Sequence, residues 1–167
     1  MRTVLAVTIA LALSGSVTAF AADNTVQTGL NQMVAAYDQV QTVRVVEHFE
    51  NGATATVDVM PGGQYRLAET GGQDPALIIK IATQPVDGAV ASGNYTVTSA
   101  GTKTIDGAKS DGYKVVSPDG TYAATVWVNA HHLPISSHVE TQGHRVDVVF
   151  GDYNSSSLIA TPRNLRR

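Results

Sequence analysis

Apolar and polar residues alternate along the last third of the chain. Three alternating runs, Tyr122–Val128, Ile135–Glu140 and Arg145–Phe150, are separated by two short connections, Asn129–Pro134 and Thr141–His144. Alternation with a period of two is typical of strands that bury one face only. The pattern therefore predicts an antiparallel meander of three strands.

A different period marks residues 23–40. Apolar residues recur there every three or four positions, which places them on one stripe of a helix. We therefore predict a helix over Asp23–Val40 whose stripe packs against the inner face of the sheet. The stripe consists of Val26, Leu30, Met33, Tyr37 and Val40.

Between the helix and the meander, short apolar runs end at Gly- and Pro-rich turns such as Asn51-Gly52 and Asp106-Gly107, which favour tight hairpins. The runs predict strands at Val43–Phe49, Ala53–Met60, Gln64–Glu69, Tyr95–Ala100, Lys103–Ile105 and Gly112–Val116.

Residues 75–83 follow Asp74-Pro75, which is typical of a helix start. Leu77, Ile78 and Ile81 lie at helical spacing, although their β-branched neighbourhood leaves a buried strand as the alternative. A terminal helix, many antiparallel strands and a short central helix predict an α+β fold with its helices on one face of a sheet.

The first 21 residues have the layout of a secretory signal peptide: Arg2, the apolar run Val4–Leu13, and an A-x-A site at Ala19–Ala21. The run has about 10 residues, whereas a membrane span needs roughly 20. We predict cleavage after Ala21, a single mature domain over 22–167, no stable membrane insertion, and export to the periplasm, with secretion as the alternative.

The charge of the predicted mature domain excludes some partners. Without Arg2 it carries ten basic and fourteen acidic residues, a net charge of −4, and its basic residues cluster only at the C-terminus. Nucleic-acid binding depends on clustered Lys and Arg, so nucleic acid is not an expected partner. The chain has no cysteine. Its stability must therefore come from a hydrophobic core and not from disulfides.

The histidines do not form a recognisable reaction centre. His131 and His132 are adjacent in a predicted turn, and no third ligand is set by spacing, so we predict neither a metal nor a cofactor. A Ser-His-acid triad is recognised by geometry, and the sequence leaves a hydrolase using His131 or His132 as the least favoured alternative. We predict that the protein is not an enzyme and has no catalytic residues.

A two-residue turn at Gln142-Gly143 would place His138 opposite Asp147, and Glu140 opposite Arg145. These cross-strand pairs are expected on the polar face of the meander, where they stabilise strand pairing.

A set of short motifs in the second half of the chain resembles the LolA-like superfamily, which comprises periplasmic lipoprotein carriers and their relatives. The resemblance is specific over about residues 101–162 and lies in the order and spacing of the motifs. They are Ile105-Asp106-Gly107, Tyr113-Lys114-Val115, Val126-Trp127-Val128-Asn129, Leu133-Pro134-Ile135, Val149 to Asn154, and Ile159 with Pro162.

The resemblance implies a strongly curved antiparallel sheet that forms an incomplete β-barrel, with the N-terminal helix and the short central helix on its concave face. It also implies a cavity that holds the acyl chains of a lipid or lipoprotein. The carriers have an arginine before a proline in an early strand, which ties the helical lid shut. Here Met60 precedes Pro61, so that lid role is not transferred.

We therefore predict an exported, monomeric carrier or binding protein for a lipid, acyl chain or lipoprotein. Two alternatives stay open: a fully collapsed core without a cavity, and an envelope structural or protein-interaction module that uses the same fold. The residues expected to line the cavity are Leu30, Met33, Tyr37, Leu77, Ile78, Ile81, Val126, Ile135, Val139, Val146 and Val148.

Overall fold

A computed structural model describes residues 20–21, 24–60, 64–71, 96–141 and 143–159. Within these ranges the chain forms strands and two helices, labelled here in chain order. They are β1 (Phe20–Ala21), α1 (Asn24–Tyr37), β2 (Val43–Phe49), β3 (Thr54–Met60), β4 (Gln64–Gly71), β5 (Thr96–Ile105), β6 (Ala108–Val116), β7 (Tyr122–Val128), β8 (Pro134–Thr141), β9 (His144–Gly151) and α2 (Ser156–Ile159).

The strands of the described ranges form one sheet in the order β1-β5-β6-β7-β8-β9-β2-β3-β4. The two-residue strand β1 pairs in parallel with β5, and all the other neighbours are antiparallel. The sheet is curved and is not closed into a barrel. The predicted α+β class and incomplete barrel are confirmed.

The predicted meander is confirmed as β7, β8 and β9. His138 pairs with Asp147 and Glu140 with Arg145, as predicted. The predicted strands β2 and β3 are also present, joined at Gly52, whose φ of 80° is the left-handed conformation that such turns need.

The prediction of two separate strands before residue 106 is wrong. Residues 96–105 form the single strand β5, whose register shifts between Ser99 and Gly101. Gly101 has a φ of 82°. Such a bulge re-phases the alternation of side chains, so one strand shows the pattern of two.

Two element ends differ from the prediction by three residues or more. Helix α1 ends at Tyr37 and not at Val40, because a tight turn follows in which the amide of Val40 donates to the carbonyl of Tyr37 at 2.9 Å. Strand β6 begins at Ala108 and not at Gly112. Its first residues do not show an apolar alternation, because the buried position among them is taken by the polar Ser110. Residues Ser156–Ile159 form the short helix α2, in which Leu158 is buried.

One face of the sheet, which we call the inner face, packs against α1 and forms the core. Helix α1 contributes Val26, Leu30 and Met33 to this core, which confirms the helix stripe. Eleven of the fifteen buried residues that the strands contribute are valine. The fifteen are Val43, Val45, Val57, Val59, Val97, Tyr113, Val115, Tyr122, Ala124, Val126, Val128, Val139, Val146, Val148 and Phe150.

The close approach of α1 to the sheet depends on Gly29. A Cβ atom at this position would overlap the hydroxyl of Tyr113 and lie 2.8 Å from the ring carbon Cζ. Tyr113 is itself buried at 8% exposure, so its ring has little room to move. The glycine therefore sets the distance between the helix and β6.

We expect Gly29→Ala to destabilise the protein by about 1–3 kcal/mol, although alanine favours a helix by up to about 1 kcal/mol, because the overlap must be relieved by shifting packed groups. Urea unfolding of G29A, Y113V and the double variant measures the coupling between the two sites. The control is Gln32→Ala on the exposed side of α1. A G29A variant as stable as Q32A would contradict the close approach.

Strand β1 lies at the predicted cleavage site. It pairs Phe20 with Thr96 and Ala21 with Val97. Cleavage after Ala21 would remove this strand and make β5 an edge strand of the mature sheet. In the part of the chain that the structure describes, neither helix has the length and apolar character needed to cross a bilayer.

Candidate ligand-binding face

The residues predicted to line a cavity converge on the inner face wherever the structure describes them. Leu30 and Met33 are buried on α1, at 3% and 1% exposure. Tyr37 is partly buried and packs against the same core. The helix thus presents three of the predicted residues to the sheet.

On the sheet, strand register places the other predicted residues next to one another. Val139 of β8 lies opposite Val146 of β9, and Val148 lies one row further along β9. Val126 of β7 belongs to the same face, and these four valines are all at 3% exposure or less. Ile135 is only partly buried. Leu77, Ile78, Ile81 and the predicted helix over residues 75–83 lie outside the described residues.

The C-terminal end of α1 meets a corner of the chain formed by residues 150–154. Burial raises the pKa of Tyr37 to about 12. Burial also raises the pKa of Tyr153, and the neighbouring Tyr37 adds to the effect. The hydroxyl of Tyr153 donates to the carbonyl of Pro134. Both phenols therefore stay neutral at physiological pH, and the phenol of Tyr153 acts as a hydrogen-bond donor at this end of the core.

The same corner fastens the end of β9 to the segment before β2. The side-chain oxygen Oδ1 of Asn154 accepts from the amides of Gln41 at 2.7 Å and Thr42 at 3.4 Å, and the Asn154 amide donates to the carbonyl of Thr42 at 2.9 Å. Asp152 and Asn154 have positive φ values, of 50° and 53°. The motif from Val149 to Asn154 thus joins the residues that follow β9 to the residues that precede β2 by hydrogen bonds.

On the opposite face of the sheet, Arg44 holds a buried carboxylate. Its guanidinium donates to both oxygens of Asp58, at 2.7 and 3.2 Å, and to Asp152 at 3.2 Å. The side chain of Asp58 is completely buried, whereas those of Arg44 and Asp152 are 36% and 53% exposed. Hydrogen bonding to Asp58 raises the pKa of Arg44 further. Bidentate pairing of this kind makes a buried carboxylate tolerable.

All five histidines are at least partly exposed. The Nδ1 atom of His138 is 2.6 Å from Asp147 Oδ1, so the predicted cross-strand pair is confirmed. His132 adopts a φ of 60° in the turn before β8, and the amide of His131 donates to the side chain of Asn129 at 2.9 Å. In the described residues, no group of three or more His, Cys, Asp and Glu side chains is placed to hold a metal ion.

Sequence reasoning missed two polar side chains on the inner face. Glu47 follows Val43 and Val45 in the alternation of β2, and is 5% exposed. Ser137 lies between Ile135 and Val139 on β8, and is 3% exposed. The signal was present, because the same period that directs the valines inward also directs these two residues inward.

Glu47 is the more unusual of the two. Burial raises the pKa of its carboxyl to about 7. No hydrogen bond or ion pair joins it to another of the described residues. Its neighbours across the strands are Ala55 of β3 and Val148 of β9, both of them apolar and buried. Near neutral pH this carboxyl therefore changes between its charged and neutral forms.

Comparison with solved structures identifies the architecture. The structure is similar to that of the lipoprotein LppX of Mycobacterium tuberculosis, with a TM-score of 0.53 and 17% identity over 80% of this chain and 97% of that chain. For LprF from Mycobacterium bovis the TM-score is 0.50, with 14% identity over 84% and 98% of the two chains. For MucB the TM-score is 0.55, with 15% identity over 88% of this chain and 66% of MucB.

The chain has the LolA-like fold. The sequence matches no protein-family model and no curated protein, so the likeness is one of structure. At these identities it concerns the fold, and it confirms the resemblance that the motifs of residues 101–162 suggested. The corner contacts of Tyr153 and Asn154 and the inner-face valines of β7–β9 all lie within that stretch.

Proposed function

We propose that this chain is an exported carrier or binding protein that holds a lipid, an acyl chain or the acyl part of a lipoprotein against its inner face. The observation that carries the proposal is the composition of that face. Eleven of its fifteen core residues are valine, on a curved sheet that is not closed. Short side chains on a curved surface leave depth for an apolar guest, whereas larger side chains would fill it.

The energetics of such a guest are favourable. Each CH₂ group taken out of water gains about 0.8 kcal/mol. An acyl chain of about ten buried CH₂ groups gains roughly 8 kcal/mol before the cost of immobilisation. Micromolar affinity corresponds to about 8 kcal/mol and association costs at least about 4 kcal/mol, so about fifteen buried CH₂ groups are needed.

The similarity to LppX, whose structure is described as that of a lipoprotein, supports a function in the cell envelope. The predicted signal peptide over residues 1–21 supports export, with the periplasm as the site of action. In this proposal the protein works as a monomer without a metal or cofactor and does not catalyse a reaction. Leu77, Ile78 and Ile81 complete the lining together with the described inner-face residues.

The direct test is titration of the delipidated mature protein with a fluorescent long-chain fatty acid. Saturable binding at micromolar concentrations is expected, and its absence would overturn the proposal. Native mass spectrometry of the protein purified from its own envelope separates the two main alternatives. A mass excess that matches a lipid supports the carrier, whereas a stoichiometric protein partner without lipid supports an interaction module.

A matched pair of variants distinguishes a cavity from a filled core. Ala124 lies on the inner face at 2% exposure, and its neighbour Ala123 points to the other face and is partly exposed. We expect Ala124→Leu to weaken fatty-acid binding at least tenfold while the free energy of unfolding changes by less than about 1 kcal/mol, because the larger side chain occupies ligand space. Ala123→Leu should leave both quantities unchanged.

A filled core gives the opposite result for the same variant. Extra methyl groups in a packed interior cost about 1–3 kcal/mol. If Ala124→Leu destabilises by that amount and the wild-type protein binds no fatty acid, the inner face is solid. Thermal and urea unfolding of A124L and A123L, measured beside the binding titration, decide between the two outcomes.

A further inference from the structure

Glu47 and Ser137 lie in one row across the inner face. Ser137 of β8 pairs with Val148 of β9, and Val148 pairs in turn with Glu47 of β2. Val148 thus separates the two polar residues. Since neighbouring strands are about 4.8 Å apart, their Cα atoms are roughly 10 Å apart. The row continues to Val126 on one side and to Ala55 on the other, so its other close members are apolar.

Neither polar group has a partner among the described residues. The hydroxyl oxygen of Ser137 is fully buried and makes no hydrogen bond to another described residue. Glu47 is 5% exposed and forms no hydrogen bond or ion pair within the described part of the chain. A buried polar group without a partner destabilises the folded protein, and a buried carboxylate without one does so more strongly. Two such groups on the same row, both more than nine-tenths buried, indicate a site at which a ligand supplies the missing hydrogen-bond partners.

We propose that Glu47 and Ser137 form a recognition point for the hydroxyl group of an otherwise apolar ligand. The inference rests on the proposed function and names the polar end of the guest. A hydroxyl group donates one hydrogen bond to the Glu47 carboxylate and accepts one from the Ser137 hydroxyl, so it satisfies both side chains from a position above Val148. The chemical class is an acyl or alkyl chain that bears a hydroxyl, such as a fatty alcohol or an acylglycerol.

Other head groups fit this row less well. A fatty-acid carboxylate would face the Glu47 carboxylate, and two like charges at close range in an apolar setting repel. An ammonium group would pair with Glu47, but transfer of a cation into the interior costs much more than transfer of a hydroxyl. The row therefore discriminates by charge among amphiphiles of equal chain length.

The test compares dodecanol, dodecanoate and dodecylammonium as competitors of an uncharged naphthylamine dye bound to the mature protein. At pH 8, above the raised pKa of Glu47, we expect dodecanol to displace the dye at a concentration about ten times lower than dodecanoate requires. Glu47→Gln should bring the two concentrations within about twofold of each other. Ser137→Ala should weaken dodecanol about fivefold and leave dodecanoate unchanged.

The control is Glu140→Gln, a change of the same type at an exposed position on the outer face, where all three competitors should act as on the wild type. Equal displacement by dodecanol and dodecanoate in the wild type, or a preference that survives Glu47→Gln, overturns the inference while acyl binding stands. A stronger effect of dodecylammonium than of dodecanol overturns the choice of a hydroxyl. If no amphiphile displaces the dye in any variant, the proposed function itself fails.

Discussion

Glu47→Gln will make the protein more stable at pH 8 by up to about 3 kcal/mol, whereas the gain near pH 5 will be only about 1 kcal/mol. The pKa of Glu47 is raised to about 7 by burial, whereas a glutamate in the unfolded chain titrates near 4.3. Glutamine has the same shape and no charge, so the variant lacks the cost of an ionised carboxylate in an apolar setting.

The sign of the pH dependence follows from proton binding. Between about pH 4.3 and 7 the folded wild-type protein binds more protons at Glu47 than the unfolded chain does. Its stability therefore falls as the pH rises through this window, by at most about 1.4 kcal/mol for each pH unit, and the loss is complete above pH 7. Ionisation of other groups is common to both proteins and cancels in the difference.

The measurement is urea unfolding of the wild type and E47Q at intervals from pH 5 to pH 8. The control is Glu140→Gln, since Glu140 is 49% exposed and pairs with Arg145 at 3.2 Å. That exposed pair is worth less than about 1 kcal/mol, so E140Q should be slightly less stable than the wild type and show no comparable gain at high pH. A constant difference between E47Q and the wild type across the pH range would show that Glu47 does not titrate in this window.

Arg44→Met will destabilise the protein by about 3 kcal/mol, because it removes a bidentate partner from the buried carboxylate of Asp58. Without the guanidinium, the negative charge of Asp58 stays in an interior that water does not reach, with less compensation than in the wild type. For a domain of this size, a change of 3 kcal/mol lowers the melting temperature by roughly 6–12 °C. Calorimetry or thermal unfolding followed by circular dichroism measures the shift.

Two matched variants locate the origin of this effect. Asp152→Asn removes only the exposed contact of the same guanidinium and should cost less than about 1 kcal/mol. Arg44→Lys keeps the charge but loses the fork geometry, so an intermediate cost is expected. If R44M and D152N cost the same, the buried pair contributes no more than a surface contact.

Much of the fold was predictable from the chain because strands that bury one face leave a period of two in the sequence. The meander β7–β9, its register at His138 and Asp147, and the stripe of α1 were all correct for this reason. The motif from Val149 to Asn154 was recognised in the sequence, but the hydrogen bonds that it forms were not predicted. Only the folded chain shows that Tyr153 reaches Pro134 and that Asn154 caps the backbone of Gln41 and Thr42.

The prediction of strands and buried residues failed in two situations. In one, a bulge interrupted the alternation of side chains along a strand; in the other, a polar side chain was buried. The bulge at Ser99 and Gly101 divided one strand into two apparent ones. Asp58 was given no role in the sequence prediction, yet its side chain is completely buried because Arg44 lies beside it in the register. Such pairs depend on which strands become neighbours, and β2 meets β9 across about a hundred residues of chain.

By itself the sequence determined the class of the protein: a signal-like leader, one helix stripe and a set of alternating strands whose inward positions are valine, because period and composition are local properties. The tertiary structure alone decided the chemistry of the inner face. It placed Glu47 and Ser137, which are 90 residues apart in the sequence, in a single row on either side of Val148, and it buried both side chains. Alternation specifies the face on which a side chain lies, whereas strand order and register specify its neighbours, and the neighbours set the pKa and the partners of a buried polar group.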